Sequence, residues 1–255
     1  MKRITVWMAV VALLLTTGVL NAQHYGIVFG ELEVNEENAS DIFGDGLAAY
    51  DAAQNMLILC DGFDYHLSHG LVSINTGRTF RIVLKGKAVM VASVECADPV
   101  VMEAADAGLL YITSNISGSA LKCESLTLMP GMTLDLLSRN SQNEMYALDC
   151  KELTINKAVL YAEVTTAELA AHIAQMTLND CWMQKPRGGS VNEAYGGICY
   201  ADGLPAKQVR IIVEGYGVEE MMEPSQPIMK VFENGSIVII KDGKKYDISG
   251  RTLSR

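Results

Sequence analysis

ALKCESLTL at Ala120–Leu128 is followed by ALDCKELTI at Ala147–Ile155, and each residue of the second copy stands 27 positions after its counterpart in the first. Cys123 falls on Cys150, Glu124 on Lys151, and Leu126-Thr127-Leu128 on Leu153-Thr154-Ile155. A period in the twenties around a short alternating strand is the pattern of a β-solenoid, because one coil buries its apolar face only by stacking on the next. Within each copy the alternation sends the outer residues of the L-T-L or L-T-I triplet inward and the threonine outward. The matched positions are mostly the inward ones, so any specific function belongs on the outward positions, where the copies differ.

Working outward, the repeat is traced by anchoring each coil on an apolar-x-apolar triplet. The triplets are Leu57-Ile58-Leu59, Ile82-Val83-Leu84, Leu110-Tyr111-Ile112, Leu126-Thr127-Leu128, Leu153-Thr154-Ile155 and Met176-Thr177-Leu178. Turn residues follow at Asp61-Gly62, Lys85-Gly86, Pro130-Gly131 and Asn179-Asp180, and second alternating runs begin at Phe63, Ala88, Met132 and Val159. Two places break the pattern. Ile112 to Leu126 is too short for a full coil, and TTAELAAHIA at Thr165–Ala174 reads either as a short helix inserted into one coil, from its capping-box spacing, or as an ordinary β-arc.

The flanks read as caps. Tyr25–Val34 is expected as one strand, with Asn35 capping a short helix through Ile42 and Gly44-Asp45-Gly46 ending it. Beyond the coils, Gly196–Ala201 and Gln208–Glu214 are expected strands that cover the far end. Pro224-Ser225-Gln226-Pro227 is a linker, and the Asn234-Gly235 and Asp242-Gly243 turns predict a three-stranded meander after it. The expected organisation is a signal peptide at 1–22, an N-terminal cap at 23–56, a solenoid at 57–185, a C-terminal cap at 186–223, and a linker with a meander at 224–255.

The signal peptide rests on Lys2 and Arg3, the apolar run Ile4–Leu15 and the Asn21-Ala22-Gln23 cleavage pattern. The apolar run is shorter than the ~20 residues a membrane span needs. An exported chain without a membrane span follows as the expectation. The formal net charge of −10, with Lys and Arg scattered, leaves no basic footprint for nucleic acid. The six cysteines, Cys60, Cys96, Cys123, Cys150, Cys181 and Cys199, include no C-x-x-C pair, so zinc and thioredoxin-type chemistry lack a motif. Cys123 and Cys150 share an inward position on neighbouring coils and read as stacked thiols rather than a bridge, because side chains on parallel neighbours point the same way.

Most of Tyr25–Gly217 resembles the secreted β-solenoid proteins of gut Bacteroidetes and some Firmicutes. The resemblance is carried by the L-T-I strands, by Gly44-Asp45-Gly46 with Tyr50–Leu57 before the first strand, and by Gly188-Gly189-Ser190-Val191 with Tyr200–Lys207 at the close. It implies a right-handed parallel β-helix, here an irregular one of about five to six coils, and an adhesin-like or carbohydrate-binding role. Tyr246-Asp247-Ile248-Ser249-Gly250-Arg251 is similar to a shortened sorting signal of the type IX secretion kind.

No catalytic motif is present. Polysaccharide lyase or glycosidase chemistry, the enzymatic precedent on this architecture, needs convergent carboxylates. The outward candidates Asp135, Glu163 and Lys151 with Arg139 are not grouped by any spacing. The histidines His24, His66, His69 and His172 make no metal motif, and no cofactor is expected. Sugar recognition would use aromatic side chains, of which Tyr65, Tyr111, Tyr161 and Trp182 lie in the coils; Tyr111 is expected outward and Trp182 in the core. The expectation is a non-enzymatic, exported or cell-surface β-solenoid of the bacterial envelope with a polysaccharide or glycan partner. The alternatives are a degenerate polysaccharide-acting enzyme and a purely structural surface protein.

Overall fold

The computed structural model describes residues 23–115, 118–139 and 145–214, apart from the side chains of 68 and 69, together with the backbone of 229–233, 236–241 and 244–246. The expected signal peptide lies outside the described residues. Among the described residues, no helix is long and apolar enough to cross a membrane.

The N-terminal cap opens with an antiparallel hairpin of β1 (His24–Phe29) and β2 (Leu32–Asn35). The strand expected over Tyr25–Val34 therefore folds back at Gly30, whose φ of +64° suits a residue without Cβ. The helix expected after Asn35 is a run of turns. Asn35 Oδ1 accepts from Glu37 N at 2.9 Å, as a cap would. Ile42 N, however, donates to Ala48 O at 2.9 Å, so no helical ladder propagates. β3 (Ala48–Asp51) then pairs antiparallel with β4 (Met56–Cys60), the first strand of the solenoid.

Five right-handed turns follow. The first contains β4 and β5 (Phe63–Ile74), the second β6 (Phe80–Lys85) and β7 (Lys87–Cys96). The third is β8 (Val100–Ala104), β9 (Gly108–Ser114) and β10 (Leu121–Lys122). The fourth is β11 (Ser125–Leu128), β12 (Met132–Ser138) and β13 (Leu148–Asp149). The fifth is β14 (Glu152–Asn156), β15 (Val159–Val164) and β16 (Ala171–His172); β17 (Gln175–Asn179) then extends the first line parallel to β14, and β18 (Cys181–Lys185) leaves the coil to pair with a cap strand.

Like segments of successive turns stack in three lines. The first is a seven-stranded sheet running β3-β4-β6-β8-β11-β14-β17. The second and third share a 14-stranded sheet, because β5 and β7 run through both lines while later turns split into separate strands. The duplicated stretch is in register: Leu121 faces Leu148, Leu126 faces Leu153, and Leu128 faces Ile155.

That register corrects the tracing of the coils. Met102 is the first-line partner of both Ile82 and Leu128, so Val100-Val101-Met102 supplies the third turn's first strand. Leu110-Tyr111-Ile112 belongs to the second line, beside Leu134 and Leu136. The short interval from Ile112 to Leu126 thus joins different lines. Val100-Val101-Met102 fits the apolar-x-apolar form as well as Leu110-Tyr111-Ile112 does, and the pairing between turns is what tells which of the two continues the first line.

The Thr165–Ala174 segment is not helical. Its amides and carbonyls serve neighbouring coils: Thr165 N donates to Ser138 O, and Ala170 O accepts from Leu148 N, each at 3.1 Å. Ala167, Leu169, Ala170, Ala171 and Ile173 are all buried, so small apolar residues fill the coil interior at a corner. The alanine content that reads as helix propensity instead meets a packing need.

The sharp corner between the first and second lines repeats in space. Gly86 has φ +120° and a Cβ there would meet Asp61; Gly131 has φ +81° and its Cβ would meet Asp106 O at 2.5 Å. Inside, the leucine, isoleucine and valine rows form one continuous core. Cys123 and Cys150 lie in it as free thiols, and hydrogen bonding to Cys150, then burial, pushes the Cys123 thiol well above its ordinary pKa.

β19 (Ser190–Asn192), β20 (Gly197–Cys199) and β21 (Gln208–Val213) close the far end. β20 lies antiparallel on β16, and β21 antiparallel between β15 and β18. Reversing strand direction ends the parallel stack in the second and third lines and gives the β15 and β16 edges a partner. A separate compact unit from Gly215 holds the expected meander, β22 (Met229–Glu233), β23 (Ser236–Lys241) and β24 (Lys244–Tyr246). The sorting-like segment beyond Tyr246 lies outside the described residues.

Candidate functional site on the outer face of the second strand line

In the second line the inward residues of β9, β12, β15 and β21 are buried and the outward ones half-buried, apart from Glu163, which is exposed. The parallel register places Tyr111 beside Asp135 and Asp135 beside Tyr161. The antiparallel cap strand then sets Arg210 beside Tyr161 and Gln208 beside Glu163. The result is an outward row Tyr111–Asp135–Tyr161–Arg210 that crosses four strands, with Glu163 and Gln208 in the next row.

A shallow open pocket of about 250 Å³ lies on this row. Asp135, Tyr161, Glu163, Gln208 and Arg210 line it, with Lys185 at one side. Three contacts hold the groups in place. Gln208 Nε2 donates to Glu163 Oε2 at 2.9 Å, Lys185 Nζ donates to Gln208 Oε1, and an Arg210 guanidinium nitrogen donates to the Tyr161 hydroxyl at 3.2 Å. The Arg210 guanidinium also sits 4.9 Å from the Tyr161 ring centre, and Lys87 Nζ sits 5.2 Å from that of Tyr111. Both tyrosines are therefore oriented by a cation.

Asp135 differs from the other polar groups. Among the described residues, no hydrogen bond reaches its carboxylate. Burial, and then the charge of Glu163, raises its pKa above the ordinary aspartate value.

The residues that alternation marks as outward candidates divide unevenly here: Asp135, Glu163 and Tyr161 come together in the pocket, and Tyr111 adjoins it facing outward as expected. Lys151 is elsewhere, 3.6 Å from Glu124 at the corner before the first line. Arg139 lies past the end of β12 and is exposed. Tyr65 packs with Phe29, Phe43 and Phe63 at the N-terminal cap, so its ring is spent on packing. Trp182 is not core: it faces Ile212 on the outer side of β21 and is half-buried, while its neighbour Cys181 goes inside.

Each histidine whose side chain is described pairs with a carboxylate: His24 with Glu33 at 2.8 Å, His66 with Asp64 at 2.7 Å, and His172 with Asp149 at 2.8 Å. His172 also stacks on Tyr146. Among the described residues, no three His, Cys, Asp or Glu side chains are grouped to hold a metal ion.

Lys185, Gln208 and Arg210 join the site without any expectation from the sequence: Lys185 ends β18, and Gln208 and Arg210 come from the cap strand β21. The sequence does carry one signal for Arg210: in QVRIIV it sits between two apolar residues, which alternation places on the outward side. Nothing in sequence spacing tells which coil that strand covers. Comparison with family models, curated proteins and solved structures finds no match.

Proposed function

We propose that this protein is a non-enzymatic interaction protein that binds glycan on the outer face of its second strand line, exported to the surface of a bacterial envelope. The observation that carries the reading is the Tyr111–Asp135–Tyr161–Arg210 row with its pocket. Planar carboxylate, amide and guanidinium groups take sugar hydroxyls in pairs, and aromatic plates take apolar C–H faces. The pocket is slightly below the ~300–1,000 Å³ of small-molecule sites, which suits one unit of a longer chain laid along the face. The Lys2-Arg3 and Ile4–Leu15 pattern supports export, as the resemblance to secreted β-solenoids supports an adhesin-like setting.

A glycan array probed with the full chain tests binding. Retention of specific glycans, with losses in Tyr161→Ala and Arg210→Ala, supports the reading; an array with no signal above background, or variants that bind equally, sinks it. Export is checked by sequencing the N-terminus of protein recovered outside the cytoplasm, with Gln23 expected first.

Glycan cleavage is the rival reading, and one observation favours it. Asp135 with its raised pKa beside Glu163 is the pairing that an acid and a base require. New reducing ends released from a bound glycan, and lost in Asp135→Asn, would establish the enzyme instead.

A further inference from the structure

We infer that the glycan unit seated in this pocket is a neutral sugar, held by hydroxyls that donate to the Asp135 carboxylate. This rests on the glycan-binding reading above and names the ligand class and the residue that selects it.

The remaining polar groups already have partners within the protein. Glu163 accepts from Gln208, Gln208 accepts from Lys185, and Arg210 is laid against Tyr161. Asp135 is half-buried at the middle of the row, flanked in register by Tyr111 and Tyr161, and receives no hydrogen bond from the described residues. A partly desolvated carboxylate without donors is an acceptor waiting for them. Two adjacent sugar hydroxyls supply two donors in the spacing a carboxylate takes.

An acidic sugar is disfavoured by the same geometry. Its carboxylate would approach Asp135 and Glu163 together. The charged and titratable groups facing Asp135 are Tyr111 with Lys87 over its ring, Tyr161 and Glu163 on β15, Arg210 from the cap strand β21 and Lys185 at the end of β18. Both cations line the same pocket, but Arg210 lies against the Tyr161 ring and hydroxyl and Lys185 donates to Gln208. Burial and Glu163 make Asp135 easier to protonate than an ordinary aspartate, so binding weakens at milder acidity than an unperturbed site would show.

The test is calorimetric titration of the full chain with three probe sets: neutral gluco- and manno-oligosaccharides, oligogalacturonate, and chitosan oligosaccharides. The expected result is binding of a neutral set, a loss of about 10- to 100-fold in Asp135→Asn, and weakening of the wild type on mild acidification that the variant does not show. The pH dependence of the wild type needs no variant to fold. Tighter binding of oligogalacturonate, exclusive binding of chitosan, or an unchanged Asp135→Asn affinity overturns the inference while leaving glycan binding in place. Binding of none of the probes, together with a blank array, overturns the glycan reading itself.

Discussion

Gln208 Nε2 donates to Glu163 Oε2 across 2.9 Å, joining residues 45 positions apart in the chain. That bond belongs to the antiparallel seam between β21 and β15, where the C-terminal cap both closes the solenoid and completes the pocket. The same strand therefore serves both closure and the site, and the side chains that close the core can be tested separately from those that face out.

On the inward side of the seam, Ile211 faces Leu160 and both are fully buried. Ile211→Ala is expected to cost about 2–5 kcal/mol by removing buried methyl groups and leaving a cavity. Denaturant unfolding measures it, and the variant should also aggregate more readily because a loosened β21 bares the β15 edge.

Asp135→Asn should raise the thermal midpoint at neutral pH. The folded-state pKa of Asp135 is raised, so the stability linked to its neutral form is complete below the unfolded aspartate value of about 3.9 and is lost as pH rises through the folded value. Asparagine, always neutral, avoids that loss. Melting curves should show the difference between the two proteins shrinking on acidification and vanishing below both pKa values; a constant difference would refute the linkage.

Asn55 is buried at a φ of +53°, with its Oδ1 accepting from the Tyr50 hydroxyl at 2.6 Å and its Nδ2 donating to Thr76 Oγ1 at 2.8 Å and Thr79 O at 2.9 Å. Asn55→Ala removes those bonds and places a less tolerant residue in the left-handed region. The expected cost is about 1–3 kcal/mol for each buried partner left unpaired. Asn55→Gly loses the same bonds but relieves the backbone, so it should be the less damaged of the two in denaturant unfolding.

Alkylation of the native protein at neutral pH should mark Cys60 first, the one cysteine that is not buried. Burial lifts the Cys96 thiol to about 11, and the Cys123 thiol is also raised, so little reactive thiolate forms at either. Mass spectrometry should find Cys96, Cys123 and Cys150 labelled only after denaturation. Rapid native labelling of Cys123 would show that the thiol stack opens.

The parts of the fold that are legible in the chain are those where one local rule suffices. The 27-residue echo of Ala120–Leu128 in Ala147–Ile155 becomes register, residue for residue, because identical inward side chains stack most closely on their own copies. Tyr111 stands outward, as its two apolar neighbours require. Expectation and structure part where local rules conflict with packing. Thr165–Ala174 has helical propensity but lies where a coil corner needs small apolar residues, and Tyr25–Val34 looks continuous until Gly30 turns it.

The candidate site is half legible. Asp135, Glu163 and Tyr161 stand out as outward residues of alternating strands, yet no interval between them in the chain marks them as neighbours. Their proximity depends on coil lengths that vary from turn to turn. The amino-acid sequence by itself determined the solenoid, the inward rows and the outward identity of each strand's polar residues, since alternation and repetition are local. Only the tertiary structure decided that Val100 rather than Leu110 continues the first line, and that the cap strand runs antiparallel beside β15. Hydrogen-bond pairing across non-adjacent segments sets both, and it is this pairing that brings Arg210 to Tyr161 and Gln208 to Glu163.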